Sequence, residues 1–282
     1  MFPQLQIIPT TCWTAYYSSP ICATLGEHFE ALHDAPSSNN EFSFYVSVAS
    51  VYSSKIEGEN IDLDSYIKHK RMGVAFLPDY TKKIDDLYNA YIFAQQHPLN
   101  AENLALAHRL LSKHLLAKHQ RGKMRQQNMY VLTPKGNIEY VAISPFSLPA
   151  AMEAFYSDLR CLCEASLSLV EVFYFAAMLH VVFVKIHPWN DGNGRCARLL
   201  EKWFLAQHLG EKAWLLPSER YYYQHHANYY HHIRQLGVEY EGLDYEKVLP
   251  FLLLLPQAVV KNDDNKDYFR WDLKVSYRLS FR

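Results

Sequence analysis

Along most of the chain the apolar positions recur with the period of a helix. Ile84, Leu87, Tyr88 and Tyr91 share one face, as do Leu104, Ala107, Leu111 and Leu115. Asn100 suits the N-cap of the second of these helices, and Pro98 separates the two. From Leu169 to Lys185 the residues are apolar on nearly every side, the pattern of a helix buried all round. Its apolar run Val172–Val184 is interrupted by His180 and is too short to span a bilayer. A second, amphipathic stretch, Gly194–Leu209, carries Leu199, Leu200, Phe204 and Leu205 on one side. Asp244 reads as the cap of a C-terminal helix bearing Val248 and Phe251–Leu255, with a kink or restart at Pro250. Glu41–Glu57 fits two patterns. Phe42, Phe44, Val46 and Val48 alternate like a strand, whereas Phe44, Val48, Val51, Tyr52 and Ile56 line a helical face. Its length decides for helix.

One segment departs from the helical period. Met129–Leu132 and Ile138–Ile143 are β-branched and aromatic runs around the turn Thr133-Pro134-Lys135-Gly136-Asn137, which reads as a hairpin. Two strands alone are marginal in water, so the hairpin needs another reason to exist. A flap over a site and a surface decoration both remain open. Asp34–Asn40 is a polar connection, and the tail Asn262–Arg282 runs from polar residues to Trp271–Phe281, a strand or a loosely held end. The expected fold class is all-α with one small β-hairpin.

Composition narrows the function classes. Hydrophobic residues make up 49% and charged residues 20%, a globular balance, and the net charge is −1. The densest basic run is Lys68–Arg71. That argues against nucleic acid or an anionic membrane as a partner recognised by charge. The five cysteines (Cys12, Cys22, Cys161, Cys163, Cys196) are odd in number and form no C-x-x-C pair, which fits a reducing compartment. The N-terminus lacks a basic stretch followed by an apolar one, so no signal peptide is expected and a cytoplasmic location is. Tyr221–Tyr223 with His225, His226, His231 and His232 looks metal-like at first. No two of those histidines sit four apart, so they read as a helix surface. Cys196 reads as a small packing residue.

The chemistry concentrates in Lys185-Ile186-His187-Pro188-Trp189-Asn190-Asp191-Gly192-Asn193-Gly194-Arg195-Cys196-Ala197-Arg198. Pro188 disfavours helical geometry at His187, so the buried helix should end there, and a second helix starts a few residues on. The new N-terminus offers unpaired N–H groups, and Gly192 and Gly194 let the backbone approach an anion. Arg195 and Arg198 are three apart and can reach one polyphosphate. Asp191 can hold Mg²⁺ against phosphate oxygens. His187 lies at the negative end of the first helix, which favours the imidazolium formed when it accepts a proton. These are the parts that phosphoryl transfer requires. The rival partner for Arg198 is Glu201, three residues on, as a surface pair.

This segment resembles the signature of the Fic family, H-x-F-x-[DE]-G-N-G-R-x-x-R. His187, Asp191, Gly192, Asn193, Gly194, Arg195 and Arg198 match, and Trp189 replaces the phenylalanine that anchors the loop in the core. The wider resemblance spans Ile84–Leu236, including Gly122–Arg125 and the hairpin 129–143, which corresponds to the family's target-docking flap. It implies a helical domain transferring AMP from ATP to a Ser, Thr or Tyr hydroxyl of a protein presented at that hairpin. His187 would then be the base and Asp191 the Mg²⁺ ligand. Gly192, Asn193 and Gly194 would form the anion hole, with Arg195 and Arg198 on the phosphates. Relatives that phosphorylate carry Lys at the second glycine; Gly194 favours nucleotide transfer.

Upstream, Ser53-Ser54-Lys55-Ile56-Glu57-Gly58 resembles the family's autoinhibitory pattern [ST]-x-x-x-E-[GN], in which the glutamate engages the second motif arginine, here Arg198. The resemblance thus implies an inhibitory helix in residues 1–75, a catalytic core in 76–240, and a C-terminal helix and tail in 241–282. Removal of AMP by water oriented through Glu57, and a nucleotide-responsive interaction protein with little turnover, stay as alternatives. A homodimer is left open.

Overall fold

The computed structural model describes residues 2–33, 43–76, 79–133 and 135–261, with only the backbone for 79 and 80. The connection 34–40, residues 41–42, Pro134 and the tail 262–282 lie outside the described residues.

The centre is α8 (Leu169–Ile186). It opens with a capping box, in which the Ser168 hydroxyl accepts from the Glu171 N–H and the Glu171 carboxylate accepts from the Ser168 N–H. Val172 through Val182 are all buried. By length and apolarity this helix alone, among the described residues, could cross a membrane, yet 78% of it is buried inside the protein. It is apolar all round because neighbours cover it all round. Its main neighbour is α9 (Asn193–Leu209), with α7 (Leu148–Glu164), α2 (Pro20–Glu30) and the short C-terminal α12 (Leu249–Leu252) and α13 (Leu254–Val260) on other sides. The pair α5 (Asp79–Gln96) and α6 (Ala101–Leu111) packs against α9, and α3 (Phe44–Ile56) lies across α5 and α10 (Ser218–Gln224). The remaining helices are α1 (Trp13–Tyr17), α4 (Leu63–Met72) and α11 (His226–Arg234). One core cluster runs from Ile8 to Val259, joining both ends of the described chain.

The expected caps form at Asn100, whose side chain accepts from the Asn103 N–H at 2.8 Å, and the helices on either side of Pro98 are present. Glu41–Glu57 resolves as helix over its described part, Phe44–Ile56. The hairpin is shorter than its apolar runs: β1 (Tyr130–Leu132) pairs antiparallel with β2 (Ile138–Val141) through Tyr130↔Val141, Val131↔Tyr140 and Leu132↔Ile138, with a bulge between Val131 and Leu132.

Two expectations are corrected. Asp244 caps a single 3₁₀ turn, Tyr245–Lys247, and the C-terminal helix restarts at Leu249, with Pro250 in its first turn where a missing N–H costs nothing. Helix α9 is not amphipathic in its surroundings. Arg195, Arg198, Glu201 and Lys202 are all buried: the last three hydrogen-bond inside the fold, and Arg195 faces Glu59 at 3.7 Å with its Nε left without a partner.

Candidate functional site

Helix α8 ends where Pro188 requires. His187 takes left-handed geometry (φ 55°, ψ 58°), the only described residue other than glycine with positive φ. Such a turn costs a β-carbon-bearing residue about 1–2 kcal/mol, and Arg125 holds it. The Arg125 Nε donates to the His187 carbonyl at 2.8 Å and its backbone N–H to the Pro188 carbonyl at 2.9 Å. Trp189 is buried and stacks on the His108 ring at 4.4 Å and 13°. The Asn193 side chain closes the loop upon it, accepting from the Trp189 N–H and donating to the Trp189 carbonyl, both at 2.9 Å. His108 accepts the Gly122 N–H on Nδ1 and donates from Nε2 to the Asp191 carbonyl, each at 2.9 Å. That pattern requires a neutral ring, and burial lowers its pKa to about 4. Gly192 has φ 80°, and a Cβ there would press on Leu111 and His108.

This loop sets His187 beside the N-terminus of α9. The His187 Nδ1 lies 3.1 Å from the Val184 carbonyl, to which it must donate, leaving the Nε2 lone pair available as a base. The negative end of α8 does not favour the imidazolium of His187, contrary to expectation. Burial lowers its pKa and the Arg125 charge adds to this, outweighing the Val184 carbonyl, Glu57 and Asp191, which act in the opposite sense. The imidazole is thereby kept neutral at neutral pH, the form a base needs. Asp191 is exposed; its Oδ1 accepts from the Gly192 N–H at 2.6 Å. No group of three or more His, Cys, Asp or Glu suited to a metal occurs among the described residues. A single exposed carboxylate next to an anion site fits Mg²⁺, which favours one or two carboxylates, water and phosphate oxygens over a protein cage.

Helix α3 delivers a carboxylate to the same place. It ends in a Schellman turn: Gly58 (φ 91°) donates to the Lys55 carbonyl at 3.0 Å, and the Glu59 N–H to the Ser54 carbonyl at 3.1 Å. Glu57 is the residue at that end. Its Oε1 meets the Arg198 Nη2 at 2.6 Å and lies so close above Gly194 that a Cβ there would collide with it. Burial works against the Glu57 charge, but Arg198 and Arg195 outweigh it and hold the carboxyl below its usual value. Arg198, 1% exposed, is further fixed by Ser53, whose hydroxyl accepts from Nε at 2.8 Å and whose carbonyl accepts from Nη2 at 3.1 Å. Glu59 faces the other motif arginine, with Oε1 3.7 Å from the Arg195 Nη2 and 2.7 Å from the Lys83 Nζ.

The hairpin is tied to the same junction. The Tyr140 hydroxyl donates to the Lys185 carbonyl at 2.6 Å, the Lys185 Nζ lies 4.1 Å from the Tyr140 ring centre, and the Arg125 Nη2 donates to the Ile143 carbonyl. Burial lowers the Lys185 pKa to about 8. Among the described residues, the backbone at the far edge of β2 meets the chain at 238–239, through a Val141–Glu239 bridge. Tyr130, Leu132 and Ile138 are exposed.

The fold brings together all the residues singled out by the sequence: His187, Asp191, Gly192, Asn193, Gly194, Arg195, Arg198 and, from far upstream, Glu57. Ser53, Glu59, Arg125 and His108 join them without having been singled out one by one. The pattern contained Ser53, and Gly122–Arg125 lay within the wider resemblance, but His108 and Glu59 carry no signal of their own. The surface pair between Arg198 and Glu201 does not form. Glu201 is fully buried and bonds His180 and Tyr222, since i,i+3 spacing on a helix allows contact without requiring it.

A model described as Fic/DOC family matches residues 91–205. No curated protein matches the sequence. Among solved structures, a Fic family protein from Desulfovibrio desulfuricans G20 is 19% identical with a TM-score of 0.68, covering 98% of this chain and 78% of its own. A Fic domain containing signaling protein from Bacteroides thetaiotaomicron VPI-5482 is 19% identical, with a TM-score of 0.65 over 86% of this chain and 93% of its own. Fic-1 (residues 134–508) from C. elegans is 15% identical, with a TM-score of 0.64 over 95% of this chain and 76% of its own. At these identities the likeness is one of fold.

Proposed function

Because this chain carries a Fic/DOC-family domain over residues 91–205, we propose that it transfers AMP from ATP to a protein hydroxyl and is held back by its own Glu57. The observation that carries the reading is the Glu57 carboxylate seated on Arg198 above Gly194. The N-terminus of α9 and two buried arginines make a site for an anion, and the chain fills it with one of its own.

In the open state the backbone N–H groups of Asn193 and Gly194, joined by that of Gly192 once Asp191 turns to the metal, and the Arg195 and Arg198 side chains bind the triphosphate. Asp191 would hold Mg²⁺, which when bound neutralises phosphate charge. His187, neutral and with Nε2 exposed to the site, takes the proton from the target hydroxyl as that oxygen attacks the α-phosphorus; pyrophosphate leaves. The pinned hairpin aligns the segment that bears the hydroxyl, since an open strand edge can pair with an extended peptide. In the closed state the carboxylate occupies Arg198, so the terminal phosphate lacks its partner.

The test is incubation of purified protein and of Glu57→Gly with Mg²⁺ and each of the four nucleoside triphosphates, followed by intact-mass measurement. A gain of one AMP, larger for Glu57→Gly, is expected. No gain of any nucleotide by either protein would overturn the transferase reading.

A further inference from the structure

Resting on that reading, the structure assigns a further set of residues to the same reaction. We propose that Tyr229, His180 and Glu201 form a buried relay that orients the Arg198 guanidinium independently of Glu57. His180 sits in mid-α8 and Glu201 one turn beyond Arg198 on α9; both are 0% exposed, and Tyr229, on α11, is 1% exposed. The Glu201 Oε2 lies 2.7 Å from the His180 Nδ1, the His180 Nε2 lies 2.9 Å from the Tyr229 hydroxyl, and that hydroxyl lies 3.2 Å from the Arg198 Nη1. The Tyr222 hydroxyl donates to the other side of Glu201, at 3.0 and 2.9 Å from its two oxygens.

Donor counting gives the chain a single direction. Arg198 can only donate, so the Tyr229 oxygen accepts from it. If His180 were protonated at both nitrogens it would also donate to that oxygen, and the hydroxyl hydrogen would be left without an acceptor among the described residues. With His180 neutral and its proton on Nδ1, every group is satisfied: Tyr229 donates to Nε2, and Nδ1 donates to the Glu201 carboxylate. Glu201 therefore fixes the tautomer of His180, which fixes the hydroxyl of Tyr229, which presents a lone pair to Arg198. Among the described residues no Lys or Arg pairs with Glu201, and a buried carboxylate without such a partner is costly to keep. Here it supplies a negative charge that faces Arg198 through two neutral groups. When Glu57 withdraws, Arg198 keeps Ser53 on one side and Tyr229 on the other, with Nη2 turned toward the incoming phosphate. The three are positioning residues; none touches the nucleotide.

The relay is tested first in the unmutated protein by imidazole ¹⁵N resonances, with His180 assigned by its loss in His180→Gln. Neutral His180 protonated on Nδ1 is expected at pH 7; the opposite tautomer or a doubly protonated ring overturns the proposal, and no nucleotide is needed for this reading. Next, Tyr229→Phe is placed in the Glu57→Gly protein, and ATP and ADP binding are titrated alongside the Arg198 side-chain ¹⁵N signals. Resolved Nη signals that merge on loss of the hydroxyl, with ATP affinity falling roughly tenfold and ADP affinity nearly unchanged, are expected from the loss of a bond that holds a charged donor in place. Unchanged signals and affinities overturn the proposal, as does an equal fall for both nucleotides with a lower melting temperature, which marks a structural role only. If Glu57→Gly itself binds neither nucleotide, the transferase reading falls, and the two sets of resonances still decide the relay.

Discussion

At the scale of single residues, the site is defined by which atoms are left without a local partner. Asn193 spends its whole amide on Trp189, and His108 spends both ring nitrogens on the backbone of Gly122 and Asp191. His187 spends only Nδ1. Replacement of His187 by Ala should therefore abolish transfer in the Glu57→Gly protein while sparing ATP affinity, because the ring acts on the hydroxyl and not on phosphate. Turnover kinetics beside titration calorimetry check this, and comparable turnover would remove His187 from the reaction. The pH profile follows from the same group. Its pKa is lowered, so the base form persists below the ordinary value of 6.5 and is lost only as pH falls through the lower, folded-state value. The acid limb of the rate should lie below pH 6.5; a limb above it would mean that another group supplies the base.

At the scale of elements, two pieces meet the α8–α9 junction from outside. The end of α3 brings Glu57 and Glu59 against Arg198 and Arg195, one carboxylate for each motif arginine. A carboxylate at a helix C-terminus opposes the dipole there, so Glu57 depends on Arg198 for its position. The Glu57→Gly change should raise self-modification with little change in melting temperature. Adding Arg198→Ala should erase the gain, and a gain that survived would point to general loosening instead. Because the Glu57 pKa is depressed, the pair is present above the ordinary value of 4.5 and is lost only as pH falls below it; acidification from pH 7.5 to 6 should leave inhibition intact. The hairpin is the second piece. Tyr140 is its buried anchor, whereas Tyr130 and Leu132 are exposed. The double change Tyr130→Ser, Leu132→Ser should weaken labelling of proteins in a cell extract by radioactive ATP while leaving ATP affinity within about twofold. Equal loss of both would make the hairpin a support for the site.

At the scale of the whole molecule, the flanking segments are part of the same core as the domain between them. Asp158 on α7 accepts the backbone N–H groups of Gln6, Ile7 and Ile8 at 2.7, 2.8 and 2.9 Å, and the Tyr174 hydroxyl donates to the Pro9 carbonyl. Phe2 and Trp13 pack edge-on against Phe175 and Tyr174 of α8, and α13 lies against α2. A fragment of residues 76–240 would expose that face of α8 and leave Asp158 unpaired. Turning the aromatic rings of α8 out to water loses apolar burial at about 25 cal/mol per Å², a loss taken from a usual stability margin of about 5–15 kcal/mol. The fragment should show no cooperative thermal unfolding by circular dichroism and should bind a hydrophobic dye; a sharp transition near that of the full chain would show that the segments are dispensable.

The sequence by itself determined the local parts, because local parts depend on neighbours along the chain. Helical periods, the Asn100 cap, the stop at Pro188 and the glycines of the loop follow from sterics and hydrogen bonding within a few residues. The motif His187–Arg198 was legible for the same reason, since its chemistry lies in one short stretch. Tertiary structure decided everything that joins distant residues. That Glu57, 141 positions before Arg198, meets it was implied only by the resemblance of the two motifs; the 2.6 Å contact itself is fixed by how α3 packs on α5 and α10. That Glu201 bonds His180 and Tyr222 instead of Arg198, and that His187 is lowered by burial instead of raised by its helix dipole, are decided by which atoms surround each charge. Desolvation depends on the whole shell of neighbours, and a sequence shows only those on either side.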